Sequence, residues 1–198
     1  LAANNYDFTY TNGTLAISAA PLTITGANSN VTYTGVAQTN SAATISGLKG
    51  TDNFTITGYG AGTNASATAY ADNLVASPAG STTAANYNIA ITNGGITIGK
   101  AGLVVTADNK TKVYGDANPS LTYTITGYVN NETASVLTGA PSISTTATTT
   151  TGVGNTPITV AANNLASNNY DFTYTNGTLA ISKATLTVTA DNKTDRKS

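Results

Sequence analysis

Carboxylates are the side chains in this sequence that could bind a metal ion. Asp108, Asp116, Glu132 and Asp191 could offer oxygen ligands to calcium, which takes six to eight of them. No D-x-D-x-D spacing occurs in the chain. Asp108 and Asp116 stand in Asn- and Pro-containing stretches typical of turns, where Asx side chains bond to the backbone. We therefore expect turn-forming aspartates and assign no metal ligand.

Tyrosines are the second group, because an exposed ring can stack on a sugar. The tyrosines that recur along the chain are Tyr6, Tyr87 and Tyr170, together with Tyr33 and Tyr114. Recurrence favours a core position, with the hydroxyl hydrogen-bonded at the rim. Tyr59 and Tyr128 lie near Gly-rich bends, and we predict that these two are the exposed candidates for ligand contact.

Lysines could form isopeptide cross-links with Asn or Asp. Lys100 and Lys183 stand at boundaries, whereas Lys110 and Lys112 stand in predicted turns. No buried lysine is therefore expected, and we predict no such cross-link.

Composition excludes several classes of function. The 198 residues include no Cys, Met, Trp or His, which excludes disulfides, Cys/His zinc sites and Ser-His-Asp catalysis. Eight basic and nine acidic residues give no electrostatic footprint for nucleic acid or an anionic membrane. No apolar run is long enough to cross a bilayer as a helix. We expect no enzyme, no cofactor, no nucleic-acid partner and no membrane insertion.

Internal repetition is the main signal in the sequence. Residues 1–18 recur at 165–182, and only Ala3 against Ser167 differs. A diverged copy spans residues 86–100. The chain thus reads as cut from a longer array of repeats, each the size of a small domain.

The repeat boundaries follow from this spacing. Residues 1–18 are interpreted as the C-terminal hairpin of a preceding repeat, and residues 184–198 as the first strand of the next. Two whole repeats lie between them, at 19–100 and 101–183.

Each repeat is predicted to be mostly β and to end in a hairpin. Thr is β-branched and fits a pleated surface, and Asn-Gly between alternating runs favours a type I′ turn. Asn12-Gly13 would join Phe8–Thr11 to Thr14–Ile17. The predicted facing pairs are Tyr10 with Leu15, Tyr174 with Leu179, Phe172 with Ile181, Ile91 with Ile96, and Ile89 with Ile98.

One motif carries a resemblance to a known family. Val113-Tyr114-Gly115-Asp116, followed by Pro119, resembles the MBG repeat domains in their Tyr-Gly-X variant, over residues 101–183. Residues 19–100 resemble a sister subtype built around Tyr33-Thr34-Gly35. The resemblance implies a β-grasp-like fold, in which a mixed sheet is crossed by at most one short helix. Glu132 to Leu137 is the place for that helix, whereas the matching stretch from Lys49 to Phe54 is weaker.

The resemblance also implies a biological setting. MBG domains occur in tandem in very large bacterial surface proteins, many of them similar to filamentous-haemagglutinin-like adhesins exported by two-partner secretion. The resemblance implies that the repeats form an extracellular stalk. Each repeat would contact neighbouring repeats of the same chain, and the stalk would be a monomeric rod. The alternative is a repeat module that itself binds glycan or mucin-like ligands by avidity.

Overall fold

The computed structural model describes residues 4–196, and the chain divides into two units. The first unit comprises the chain up to Ser29 with Thr39–Ala61 and Tyr70–Ile96. The second comprises Asn30–Gln38, Gly62–Ala69 and the chain from Thr97 onward. The repeat boundaries read from the sequence stay a prediction.

The prediction of a mostly β fold is confirmed. Alternating buried and exposed positions, as in β1, let one face of a strand enter a core while Thr23 and Thr25 face solvent. The strands are β1 Ala20–Gly26, β2 Asn28–Thr32, β3 Gln38–Thr39, β4 Ala43–Ser46, β5 Asn53–Thr57, β6 Ala61–Gly62, β7 Ser66–Ala71, β8 Val75–Ala79, β9 Tyr87–Thr92, β10 Gly95–Gly99, β11 Ala101–Ala107, β12 Lys110–Val113, β13 Tyr123–Thr126, β14 Ser142–Thr145, β15 Gly154–Ala161, β16 Tyr170–Thr175 and β17 Gly177–Ser182.

The second unit contains two mixed sheets. In one, β11 is antiparallel to β13 and parallel to β16. In the other, of order β12-β17-β15-β14, β17 is parallel to β12 and antiparallel to β15. Both sheets contribute to one core, whose buried residues are Val105, Ala107, Ala147, Ile158, Val160, Leu165, Leu179 and Ile181.

The first unit repeats the three-stranded arrangement. There β1 is antiparallel to β4 and parallel to β9, and β5 pairs with β8. Its core consists of Leu22, Ile24, Phe54, Leu74 and Tyr87. Strands β2, β3, β6, β7 and β10 are each divided between the two units.

A buried carboxylate joins three segments of the first unit. Asp72 accepts hydrogen bonds from the backbone N–H groups of Gly60 at 2.7 Å and Gly94 at 3.1 Å. The amide of buried Asn40 donates to both of its carboxylate oxygens, at 3.1 and 3.0 Å. Because a buried charge is costly unless it is hydrogen-bonded, these donors are what allow an aspartate at this position.

The predicted hairpin at the end of the second repeat is wrong. β16 pairs with β11, whereas β17 pairs with β12 and β15, so Asn176-Gly177 carries the chain from one sheet to the other. Neither residue has the positive φ that a type I′ turn needs. Tyr174 and Phe172 therefore do not face Leu179 and Ile181 across a hairpin, because each strand is buried against a different partner.

Close packing explains the glycine at this crossing. A Cβ on Gly177 would lie 2.5 Å from the carbonyl oxygen of Ala107. The Asn176 Oδ1 accepts from the backbone N–H of Val160 at 3.1 Å, which anchors the crossing to β15. Glycine is thus required at position 177 because the backbone of Ala107 lies too close for a Cβ, and Asn176 is suited to its position because its side chain binds the Val160 N–H. Neither residue is explained by a type I′ turn.

The other two hairpins are absent as well. β9 pairs with β1 and β10 lies in a different sheet, so Ile91 and Ile89 do not pair with Ile96 and Ile98. In the described part of residues 1–18, no strand forms around Asn12-Gly13.

The predicted helix at Glu132–Leu137 is a single 3-10 turn, Ala134–Val136, capped by the hydroxyl of Thr133. Asn130 and Asn131 precede it with φ of 51° and 57°. Thr133, inside the predicted span, is extended with a φ of -132° and a ψ of -174°, so no α-helix can continue through it from Glu132. The other 3-10 turn is Ala84–Asn86, outside the 49–54 stretch. No α-helix occurs in residues 4–196, and hence none that could cross a membrane.

The expectation that no lysine is buried is wrong. Lys112 lies in β12 and is 7% exposed. Its Nζ donates to the carbonyl oxygens of Thr148 at 2.6 Å and Asp116 at 3.2 Å, and to Asn118 Oδ1 at 2.9 Å. Three oxygen acceptors match the three donors of the ammonium group, which satisfies the buried charge without a carboxylate.

Candidate functional site

Two tyrosines share one carboxylate in the second unit. The Tyr33 hydroxyl donates to Glu132 Oε1 at 2.6 Å, and the Tyr170 hydroxyl donates to Glu132 Oε2 at 2.5 Å. The two rings meet edge to face, with centroids 5.5 Å apart. We call Tyr33, Glu132 and Tyr170 the tyrosine–carboxylate cluster.

Backbone geometry places each member. Tyr170 opens β16, and its hydroxyl also accepts from the backbone N–H of Val129 at 3.0 Å. The left-handed Asn130 and Asn131 reverse the chain, so that Glu132 follows within hydrogen-bonding reach of both hydroxyls.

The environment holds both tyrosines in the neutral form. Burial, aided by the hydrogen bond to Glu132, raises the pKa of Tyr170 to about 12. The hydrogen bond to Glu132, followed by burial, raises the pKa of Tyr33 above its ordinary value. A tyrosine with a raised pKa is a poor base and nucleophile near neutral pH, so this geometry favours a binding or structural role over proton transfer.

The first unit holds an equivalent pair. The Tyr87 hydroxyl donates to Asp52 Oδ2 at 2.7 Å and accepts from the backbone N–H of Lys49 at 2.9 Å. Burial, followed by the bond to Asp52, raises the pKa of Tyr87. The prediction of core tyrosines with bonded hydroxyls is thus confirmed at Tyr33, Tyr87 and Tyr170, whereas it is wrong at Tyr6 and Tyr114, which are exposed.

A cavity of about 360 Å³ adjoins the cluster. Its wall comes from β13, from the turn around Glu132 and from Tyr128. The apolar residues of the lining are Ile125, Ala134, Leu137 and Leu165. This volume is at the lower end of the range for small-molecule sites, about 300–1,000 Å³.

The two ligand candidates from the sequence lie in different units. Tyr128 is half-buried in the cavity wall, its ring packs edge to face on Tyr170 with centroids 6.0 Å apart, and its hydroxyl is buried with no partner in the described residues. Burial raises the pKa of Tyr128. Tyr59 packs, half-buried, against the core of the first unit. The exposed aromatic of the cavity is Tyr123, which the sequence did not single out.

The aspartates considered as calcium ligands are dispersed. Asp108 accepts from the hydroxyls of Thr122 at 2.5 Å and Thr124 at 2.9 Å, and these bonds lower the pKa of Asp108. Asp116 and Asp191 are exposed. Within residues 4–196, no three carboxylates gather around a common point.

The Tyr-Gly-X motif occupies a defined position in the second unit. Tyr114 and Gly115 follow β12 directly, and Gly115 has a φ of 95°, which favours glycine. Residues 103–180 match the family model of the MBG domain (YGX type). The resemblance read from the sequence is confirmed for this stretch. No curated protein and no solved structure matches the chain.

Within residues 103–180, which match the MBG model, the role of Glu132 was missed by sequence reasoning, which placed it on a helix or among calcium ligands. Its partner Tyr33 is 99 residues away in the chain, and no local pattern links them. The one available signal was the repeat itself, which aligns the Glu132–Tyr170 pair with Asp52–Tyr87.

Proposed function

We propose that this chain is a run of tandem spacer repeats in a secreted bacterial surface adhesin, where the repeats extend a distal adhesive region for attachment or biofilm formation. The match of residues 103–180 to the MBG domain is the observation that carries the proposal. The repetition of residues 1–18 at 165–182 supports it, because a spacer gains length by adding copies.

Two further features support a spacer. Lys100 alone separates β10 from β11, so no flexible Gly/Ser linker joins these strands. The chain contains no Cys, which prevents disulfide formation before export from an oxidising periplasm.

Scattering from chains with added repeats tests the proposal. If the repeats act as spacers on a monomeric rod, each further copy of residues 101–183 will lengthen the maximum dimension by a constant increment. A maximum dimension that grows only as the cube root of mass would contradict the spacer role. Sedimentation at each length checks that the particles remain monomeric.

We propose glycan binding as the second candidate function, because the cavity beside Tyr128 favours it. Tyr123 is 37% exposed in the cavity wall, so its ring could stack on a sugar. Thr133 in the same wall carries a hydroxyl that could hydrogen-bond to the sugar. A glycan array probed with the chain and with Tyr123→Ser tests this function. Reproducible hits that are lost in Tyr123→Ser would support glycan binding. An array without hits would contradict glycan binding and would be consistent with the spacer role.

A further inference from the structure

Tyr33 and Tyr114 occupy equivalent places in successive repeats. Tyr33 follows β2, and its backbone N–H donates to the Gly99 carbonyl oxygen at 2.8 Å. Tyr114 follows β12, and its backbone N–H donates to the Ser182 carbonyl oxygen at 2.9 Å. Each tyrosine is therefore fixed beside the end of its own predicted repeat, next to the residue that precedes the last lysine, Lys100 or Lys183.

Their side chains have opposite environments. Tyr33 is 5% exposed, because its ring packs on Tyr170 and its hydroxyl reaches Glu132, in the repeat that follows it in sequence. Tyr114 is 44% exposed. A lone exposed tyrosine needs no explanation, but this one repeats the backbone placement of a tyrosine that is buried by the following repeat.

The neighbouring glycines show the same contrast. Gly35 has a φ of 78°, and a Cβ there would lie 2.5 Å from the Cβ of Asn130, whose amide donates to the Gly35 carbonyl at 3.1 Å. Gly115 has a φ of 95°, and a Cβ there would meet nothing within 4 Å. Both glycines have the same left-handed backbone conformation. Only Gly35 is contacted by a residue of the following repeat, Asn130.

We propose that Tyr114 and Gly115 form the docking surface for a further repeat of the same kind, which would present a carboxylate–tyrosine pair such as Glu132–Tyr170. The Tyr114 hydroxyl would donate to the carboxylate and its ring would pack on the tyrosine, as Tyr33 does. Residues 184–193 support this occupant, because they repeat the start of the second repeat, 101–110, at all but two positions. An array with a role other than adhesion would use the same joint, so the inference is independent of the proposed function.

A tandem variant of the full chain tests the surface. Residues 101–183 are inserted once more after Lys183, and the inserted copy carries Tyr114→Phe so that only the original Tyr114 is scored. Nitration by tetranitromethane, followed by peptide mass spectrometry, reports how exposed each ring is. We expect Tyr114 to be nitrated several-fold more slowly in the tandem variant than in the chain itself, because its exposed fraction would fall from 44% towards the 5% of Tyr33.

Two controls make the result specific. Tyr6, which is 76% exposed, should react equally in both proteins. In a second tandem variant the inserted copy also carries Glu132→Ala, and most of the Tyr114 reactivity should return if the carboxylate is what holds the hydroxyl. Protection that persists unchanged in this variant would overturn the assignment of the carboxylate.

If the first tandem variant does not fold, Tyr33 will lose its protection from nitration. A third variant is used in that case. Here residues 19–100 are inserted after Lys183 instead, so the inserted copy presents Asp52–Tyr87, whose hydrogen bond resembles that of Glu132–Tyr170. Slowed nitration of Tyr114 supports the docking surface. Unchanged nitration of Tyr114 in the folded variants overturns it.

Discussion

The Tyr33 hydroxyl donates to Glu132 Oε1 at 2.6 Å across 99 residues of sequence. The bond links a tyrosine that follows β2 to a carboxylate whose other oxygen accepts from Tyr170. All three residues lie in the second unit, although the predicted boundary after Lys100 assigns Tyr33 to a different repeat from Glu132 and Tyr170. Substitutions in this cluster are therefore informative about how contacts between distant parts of the sequence stabilise the unit.

Glu132→Gln should destabilise the second unit by about 1–3 kcal/mol, because a charged acceptor of two hydroxyl donors is replaced by an amide with a single acceptor oxygen. Urea denaturation followed by tyrosine fluorescence measures the change. Asp191→Asn, which removes an exposed carboxylate, is the matched control and should be nearly neutral. Equal effects from the two substitutions would contradict a stabilising role for the cluster.

Stability should fall as the pH rises from 10 towards 12. The pKa of Tyr170 is about 12 in the folded chain, against 10.0 for an ordinary tyrosine. Since the unfolded chain releases this proton first, the stabilisation is complete below pH 10 and is lost as the pH rises through the folded-state pKa. Denaturation midpoints at several pH values measure the decline. Tyr170→Phe should show a shallower decline, and an unchanged slope would show that other groups cause it.

Gly177→Ala and Gly13→Ala form a matched pair, because the two glycines have the same flanking sequence. A Cβ at position 177 would lie 2.5 Å from the Ala107 carbonyl oxygen, whereas a Cβ at position 13 would meet nothing within 4 Å. Gly177→Ala should cost about 1–3 kcal/mol by overpacking, and Gly13→Ala should stay within about 0.5 kcal/mol. Chemical denaturation of both variants checks this, and similar effects at the two sites would argue against the sheet-to-sheet crossing.

Lys112→Met should destabilise the second unit by about 1–3 kcal/mol, because it leaves the carbonyls of Thr148 and Asp116 and the Asn118 amide oxygen without their donor. Thermal unfolding measures the loss, with exposed Lys183→Met as the control. Intact-mass spectrometry should give the full sequence mass. A mass lower by one ammonia would instead reveal a Lys112–Asn118 cross-link.

The internal repetition is a property of the sequence itself, and the strand content could be predicted from it. Alternation in segments such as Leu103 to Thr106 is a local property that each strand carries regardless of its partner. The same holds for Tyr87 and Tyr170, whose recurrence indicated buried rings with bonded hydroxyls, as the structure shows.

The partners of each strand could not be read in this way. Asn176-Gly177 is the local signal of a hairpin, yet the strands on either side of it pair with β11, β12 and β15 in two sheets. Burial of both strands in a shared core outweighs the local turn preference, and that burial depends on residues about 70 positions earlier in the chain.

The sequence by itself thus determined a thiol-free, mostly β chain built from tandem repeats, because composition, alternation and repetition are all local or periodic properties. Only the tertiary structure decided that Lys112 is buried, that Asn-Gly crosses between sheets, and that Tyr33 completes a cluster with Glu132. These features arise from contacts between residues distant in sequence, where the choice of partner is set by packing and by the need of buried polar groups for hydrogen bonds.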